Sequence, residues 1–298
     1  MNISDPYNKA FICKNALPGI YCDYPEMILL GSLFWLSSII SIVFLVFHFK
    51  KSKSKCKFFD QTVLFWIFMI LWQVYRGTVA LFPFKWNPRS FVIFFTSLNH
   101  ILLFIPMCIV ILILFDLLFT YRNPGMNAIV FFRSLFVLFL LTFVVLGATL
   151  CFVDIGNEND PDISLSLWCA CTDLVLVIFF VMPAKSLLDA VTYPMVQTDD
   201  ACCVSFCSVG IVVYSVVYLL RLLWNATHFF EINFIQQWVT KESVAGGDYL
   251  TSNVRTFVFF FVLFFDFIPS IFAIISVYLF KKHDMMFTEN PYYTRQSD

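Results

Sequence analysis

The stretch FFDFIPSIF (Phe264–Phe272) lies inside a run of mainly apolar residues over roughly 254–280. A run of that length matches a helix that crosses a bilayer, which needs about 20 mainly apolar residues. Two of its members are costly in hydrocarbon. Asp266 brings a charge, and Pro269 removes a backbone donor and bends the helix. The run decides the fold, and its two exceptions direct attention to a site.

Six further runs have the same character, at roughly 27–49, 59–82, 92–119, 128–152, 165–188 and 203–228. Short polar pieces rich in Lys, Asn, Asp, Pro or Gly separate them. The 298-residue chain is 60% hydrophobic and 13% charged, with a mean hydropathy of +0.82. A soluble domain carries about 25% charged residues. The runs are apolar all round and about twice as long as barrel strands, which excludes a transmembrane β-barrel. The sequence predicts an all-α, polytopic bundle of seven transmembrane helices over 27–282. It is flanked by an N-terminal segment (1–26) and a tail (283–298). No internal repeat or low-complexity linker is evident.

The net charge of −1 gives no reason to expect nucleic acid as a partner. The distribution of basic residues carries more information. Lys50, Lys51, Lys53, Lys55 and Lys57 stand between the first two spans, Arg122 follows the third, Lys185 ends the fifth, and Lys281 and Lys282 follow the seventh. With seven spans these positions share one side, which the positive-inside rule makes cytosolic. The N-terminus is then expected in the lumen or outside the cell, and the C-terminus in the cytosol. The first 26 residues lack an apolar core, so no cleavable signal is expected and the first span serves as targeting signal. The lysine loop is a candidate contact for anionic lipid, at about 1 kcal/mol per Lys near the surface.

On the lumenal side Cys13 and Cys22 are a candidate disulfide, with two free thiols the alternative. Cys202 and Cys203, with Cys207, lie at the cytosolic edge of the sixth span, where juxtamembrane cysteines are palmitoylation candidates. Two sequons, at Asn2 and Asn225, fall at unfavourable places: one at the very start, the other too close to the bilayer. In the tail, Asn290-Pro291-Tyr292-Tyr293 matches an adaptor-binding turn that would present Tyr293 for sorting.

Ionisable groups inside spans face the bundle interior, pair with one another, and mark functional sites by default. Arg76, Asp173 and Arg221 lie in the lumenal thirds of the second, fifth and sixth spans, and Asp266 lies near the middle of the seventh. Two cations and two anions at similar depth predict a neutral paired network, with Asn99 and His100 positioned to join from the lumenal side. The functional reading is a polar cavity for a small ligand or ion. The structural reading is an ion-pair lock. Asp116 and Arg133 lie nearer the cytosolic ends, where side chains snorkel. Pro106, Pro183 and Pro269 predict helix kinks, and Pro269 places one on the turn that carries Asp266.

Several chemistries lack their residues. The four histidines fall on opposite sides of the membrane, His48 and His283 against His100 and His228, so no common metal site is expected. The seventh span has no lysine for a retinal Schiff base. No phosphate-binding Gly-rich loop, GxSxG elbow or HExxH motif occurs. The expectation is a protein that is no enzyme and holds no metal or cofactor. The signatures of rhodopsin-like receptors are also missing: the third span has no starting Cys and no acid-Arg-aromatic end, and the seventh has no Asn-Pro-x-x-Tyr.

The motifs that are present resemble another group. DQTVLFWIFMILWQVYRGTVALF (Asp60–Phe82) resembles the second helix of orphan receptor-like integral membrane proteins of animal lysosomes. There a Gln-Thr-Val-Phe start leads to Trp and then to an Arg-Thr pair; here Gln61, Thr62, Val63, Trp72, Arg76 and Thr78 follow that order, with Gly77 interposed. Pro106 and Cys108 resemble the Pro and Cys of that group's third helix. FFDFIPSIFAI resembles the seventh-helix signature of the same group and of the plant tobamovirus multiplication proteins. Asp266 stands where those proteins usually have Glu. The resemblance covers spans one to three and seven. It implies a multi-pass protein of a late-endosomal, lysosomal or vacuolar membrane, with the plasma membrane as the alternative. The implied role is protein interaction, through adaptors, small GTPases or growth-kinase signalling in animals, and as an anchor for viral replication proteins in plants. A ligand-activated receptor coupled to a heterotrimeric G protein and a small-solute transporter are the competing expectations.

Overall fold

The computed structural model describes residues 25–51, 60–81, 89–122, 126–156, 163–192, 201–229 and 259–289. All are helical except Asp60, and no strand occurs among the described residues. The helices are α1 (Pro25–Lys51), α2 (Gln61–Leu81), α3 (Arg89–Arg122), α4 (Met126–Gly156), α5 (Ile163–Thr192), α6 (Ala201–Phe229) and α7 (259–289). Each contains a stretch long and apolar enough to cross a membrane.

Local chemistry sets several boundaries. Pro25 opens α1, where a missing N–H costs nothing. Asp60 caps α2: its carboxylate accepts from the Thr62 N–H (3.2 Å) and its carbonyl from the Leu64 N–H (3.0 Å). The same carboxylate lies 3.3 Å from His48 Nε2, tying the end of α1 to the start of α2. Pro106 and Pro183 stand inside continuous α3 and α5. α7 continues to Glu289, into the segment read above as tail, because no Gly or Pro interrupts 281–289.

α3 is the central helix, in contact with α2, α4, α5 and α7, and most of its spanning stretch is buried. α4 is the most peripheral: Phe131, Leu138, Val145 and Phe152 are exposed, as suits a helix solvated by lipid. α1 packs on α2 by a close backbone approach. A Cβ at Gly77 would lie 2.7 Å from the Trp35 ring and 3.2 Å from the Gly31 carbonyl oxygen. A Cβ at Gly31 would lie 3.1 Å from the Gly77 carbonyl oxygen. Lipid tails are as apolar as Leu, so contact at this crossing comes from packing of small residues rather than from water exclusion.

Lys50 is exposed near the end of α1. The Lys51 side chain, and Lys53, Lys55 and Lys57, lie outside the described residues, as do Cys13, Cys22, Asn290, Pro291 and Tyr293. Cys202 and Cys203 stand on the first turn of α6, with their side chains outside the described set.

Candidate functional site

Pro269 cannot donate a backbone hydrogen bond, so helix geometry must change in the turn before it. The change is a π-helical turn over Leu263–Phe267, closed by the Ile268 N–H donating to the Leu263 carbonyl. The carbonyl of Phe265, four residues before the proline, would have received the missing N–H. It accepts instead from Arg221 Nη1 on α6 at 3.4 Å. Asp266 sits in the same turn, and single π turns inside α-helices recur at functional sites. The costly acid and the costly proline therefore act together. The proline leaves a carbonyl open and the acid supplies a charge, and one guanidinium answers both.

Arg221 engages every nitrogen of its side chain. Nη1 reaches Asp266 Oδ1 at 3.4 Å, Nε lies 3.3 Å from Asp173 Oδ1 on α5, and Nη2 contacts His100 Nδ1 on α3. The second oxygen of Asp266 pairs with Arg76 Nη2 on α2 at 2.8 Å. The second oxygen of Asp173 accepts from Asn225 Nδ2 at 2.8 Å, one turn beyond Arg221 on α6. Arg76, Asp173, Arg221 and Asp266 are each at least 94% buried. Five helices, α2, α3, α5, α6 and α7, are joined by a cluster whose two cations and two anions cancel. Cancellation is what hydrocarbon demands, since an isolated charge there costs at least about 2.5 kcal/mol.

Among the predicted residues, Arg76, His100, Asp173, Arg221 and Asp266 come together. Asn99 does not join them; its Oδ1 accepts from the indole N–H of Trp72 at 3.1 Å, tying α3 to α2 one turn away from Arg76. Pro106 and Pro183 lie further along α3 and α5, six residues past His100 and ten past Asp173. Asp116 and Arg133 form a separate exposed pair at 2.9 Å. Three interhelical polar contacts were not anticipated, two in the cluster and one beside it. Asn225 reads as a sequon, yet it lies four residues after Arg221 on the same helix face, a spacing that places the two side by side. The Phe265 carbonyl leaves no trace in a side-chain pattern. Gln73 is the third: its Nε2 donates to Ser37 Oγ (2.7 Å) and its Oε1 accepts from Ser41 Oγ (3.0 Å), both on α1.

An aromatic layer lies further along α6. Tyr214 stacks on Phe180 at 3.9 Å between centroids, and its hydroxyl lies 3.3 Å from Met107 Sδ. Phe272 meets the same ring edge to face. On the other flank Phe34 of α1 packs edge to face against Trp72 and Phe267, each at 5.4 Å. Tyr214, Phe34 and Trp72 are fully buried. Among the described residues no three of His, Cys, Asp and Glu gather to hold a metal ion, and both buried carboxylates are occupied by arginine. The cluster ties five helices together through paired charges.

No protein-family model, curated protein or solved structure matches the chain.

The Gln73 contacts give a useful contrast with the ion pairs. Interhelical hydrogen bonds in membranes average about 0.6 kcal/mol and reach about 1.7. Gln73→Leu should therefore lower unfolding stability in mixed micelles by only about 1 kcal/mol. The Ser41 hydroxyl keeps its contact with the Ser37 carbonyl at 3.0 Å. Denaturant titration of the two proteins checks this, and a loss as large as that of a charge deletion would show that Gln73 belongs to the charge network.

Proposed function

We propose that the chain is a receptor-like, non-enzymatic seven-helix membrane protein that acts by protein interaction, as a signalling or recruitment scaffold at an endolysosomal or vacuolar membrane. The observation that carries the reading is the junction at Asp266: one acid on a π turn, held by arginines from two other helices. Such a junction sets the relative positions of α2, α6 and α7 together, so a change at one end of the bundle is passed to the other as a helix shift. The resemblance of the second, third and seventh helices to lysosomal receptor-like proteins supports the location and the mode of action. Cytosolic adaptors, small GTPases or a heterotrimeric G protein are the partner classes this reading implies, with membrane lipid at the lysine loop. The packed layer of Tyr214, Phe180, Met107 and Phe272 speaks against the transporter reading, since it fills the interior next to the charges.

The test joins topology to location. With the chain tagged at either end and expressed in cells, protease treatment of sealed organelles should remove the C-terminal tag and spare the N-terminal one. The protein should sediment with acidic organelles. Both tags on one side would contradict the seven-span orientation. Steady residence in the endoplasmic reticulum or plasma membrane, with a folded protein, would overturn the proposed compartment.

A further inference from the structure

Tyr214 and Tyr218 stand one turn apart on α6, both fully buried, with their ring centroids 5.3 Å apart. Their hydroxyls fare differently. That of Tyr214 lies 3.3 Å from Met107 Sδ. That of Tyr218 is enclosed by the bundle and has no hydrogen-bond partner among the described residues. A tyrosine hydroxyl both donates and accepts, and buried groups of this kind are partnered in the large majority of cases.

Other buried hydroxyls in the bundle are satisfied locally. Ser41 and Ser276 donate to the carbonyl four residues back, and Thr172 and Ser270 to the one three residues back. Ser38 Oγ has no partner among the described residues either. It is short and lies against its own backbone, so a turn about χ1 brings the same solution within reach. Tyr218 has no such recourse. Its hydroxyl sits at the far end of a rigid ring, away from its own helix backbone, and its partner must come from elsewhere.

The charge cluster is the polar neighbour. Arg221 follows Tyr218 by three residues, a spacing that puts both on one face of α6. Helical side chains lean toward the helix N-terminus, so the guanidinium lies over the turn that carries Tyr218. The phenol is within electrostatic reach of Arg221, Asp173 and Asp266, and is hydrogen-bonded directly to none of them. The arginine nitrogens are already engaged, but the carboxylates have capacity left. Each can accept at about four lone-pair positions; Asp173 meets Arg221 and Asn225, and Asp266 meets Arg76 and Arg221. Reach without contact is the arrangement that a bridging molecule completes. Such a molecule must be neutral, since the two cations and two anions already cancel and an added ion would stand uncompensated. It must be small, since Tyr214, Phe180 and Phe272 fill the interior beside it. It must also donate to a carboxylate while engaging a hydroxyl.

We propose that the bundle binds one internal water molecule, which bridges the Tyr218 hydroxyl to the carboxylates of Asp173 and Asp266. Three polar partners match the number that holds a buried water in place. The bridge makes Tyr218 a member of the cluster and gives α6 a neutral tie to α5 and α7 beside the ionic one made by Arg221. The site goes beyond the proposed function and holds whichever membrane carries the chain.

The experiment uses the full chain in lipid nanodiscs with carbon-labelled tyrosine. Solid-state NMR measures the transfer of magnetisation from water to the ring carbon that bears the hydroxyl. Tyr214 is the internal reference: it is likewise buried and one turn away, but its hydroxyl faces sulfur. Tyr218 should receive water magnetisation faster than Tyr214, and equally slow transfer to both rings overturns the proposal. A second measurement removes the hydroxyl and keeps the ring. With the bridge in place, Tyr218→Phe should raise the ratio of unfolded to folded protein about 5- to 10-fold in a denaturant titration, the usual net effect of losing a hydrogen bond. An idle hydroxyl predicts the reverse, because burying an unpaired polar group costs stability that phenylalanine recovers. A Tyr218→Phe protein as stable as the parent, or more stable, therefore also overturns the site. The NMR comparison rests on sequential assignment of the unaltered chain, so it decides the matter should the variant not fold. Location is measured separately, so the two readings fail independently.

Discussion

Asp266→Asn should cost the bundle about 3–5 kcal/mol, the usual consequence of removing one partner from a buried ion pair. The substitution preserves shape and removes the charge that two arginines share, at 2.8 Å and 3.4 Å. It leaves two guanidinium groups against the single carboxylate of Asp173 in a setting where each is at least 94% buried. Thermal unfolding and yield in detergent should both fall. Adding Arg76→Gln restores charge balance and should recover part of the loss, while Arg76→Gln alone should itself be destabilising. The double-mutant cycle measures the coupling, and strict additivity of the two changes would mean that the pair contributes no net interaction. The same cycle with Arg221 in place of Arg76 should show a larger coupling network, because Arg221 also holds the Phe265 carbonyl and Asp173.

Gly77→Leu is expected to be of comparable severity for a different reason. Overpacking a filled interior typically costs about 1–3 kcal/mol and sometimes more. At Gly77 the first added carbon already meets the Trp35 ring at 2.7 Å and the backbone of α1 at 3.2 Å. A ring can turn aside, but a helix carbonyl cannot, so α1 must separate from α2 or α2 must rotate. Rotation would swing Arg76, the adjacent residue, away from Asp266. The variant should therefore lose stability in mixed micelles, and its coupling between Arg76 and Asp266 should shrink when measured by the same cycle. A Gly77→Leu protein as stable as the parent would show that α1 is not seated on α2 as described.

The fold was legible because hydrocarbon allows so few solutions. Seven apolar runs of spanning length admit helices and little else. The deep charges were legible for the same reason: Arg76, Asp173, Arg221 and Asp266 have no water to turn to, so they must converge. Finer assignments failed where one turn of helix decides between neighbours. Asn99 and His100 are adjacent, yet a rotation of about 100° between successive helical residues sends one to Trp72 and the other to Arg221. Pro269 announces a freed carbonyl but not the group that takes it, since that group comes from a helix far away in the chain. Pro269 marks where the helix must change, but not that the change takes the form of a π turn. Gln73, Ser37 and Ser41 look like ordinary polar scatter until α1 and α2 are packed.

The position of Asp266 also has a bearing on how the protein is made. Helices enter the membrane in chain order, and α2 is the least apolar of the seven spans. Arg76 raises its insertion cost further, by less than the roughly 2.5–3.5 kcal/mol a charge adds at the helix centre, since it stands five residues from the end of the span. Its anionic partner arrives only with α7, after the other six described helices. Until α7 is in place Arg76 lacks the carboxylate that neutralises it in the folded bundle. Chains that stop short of α7 carry an excess cation within the bilayer. The seventh helix thus completes the electrostatics of the second.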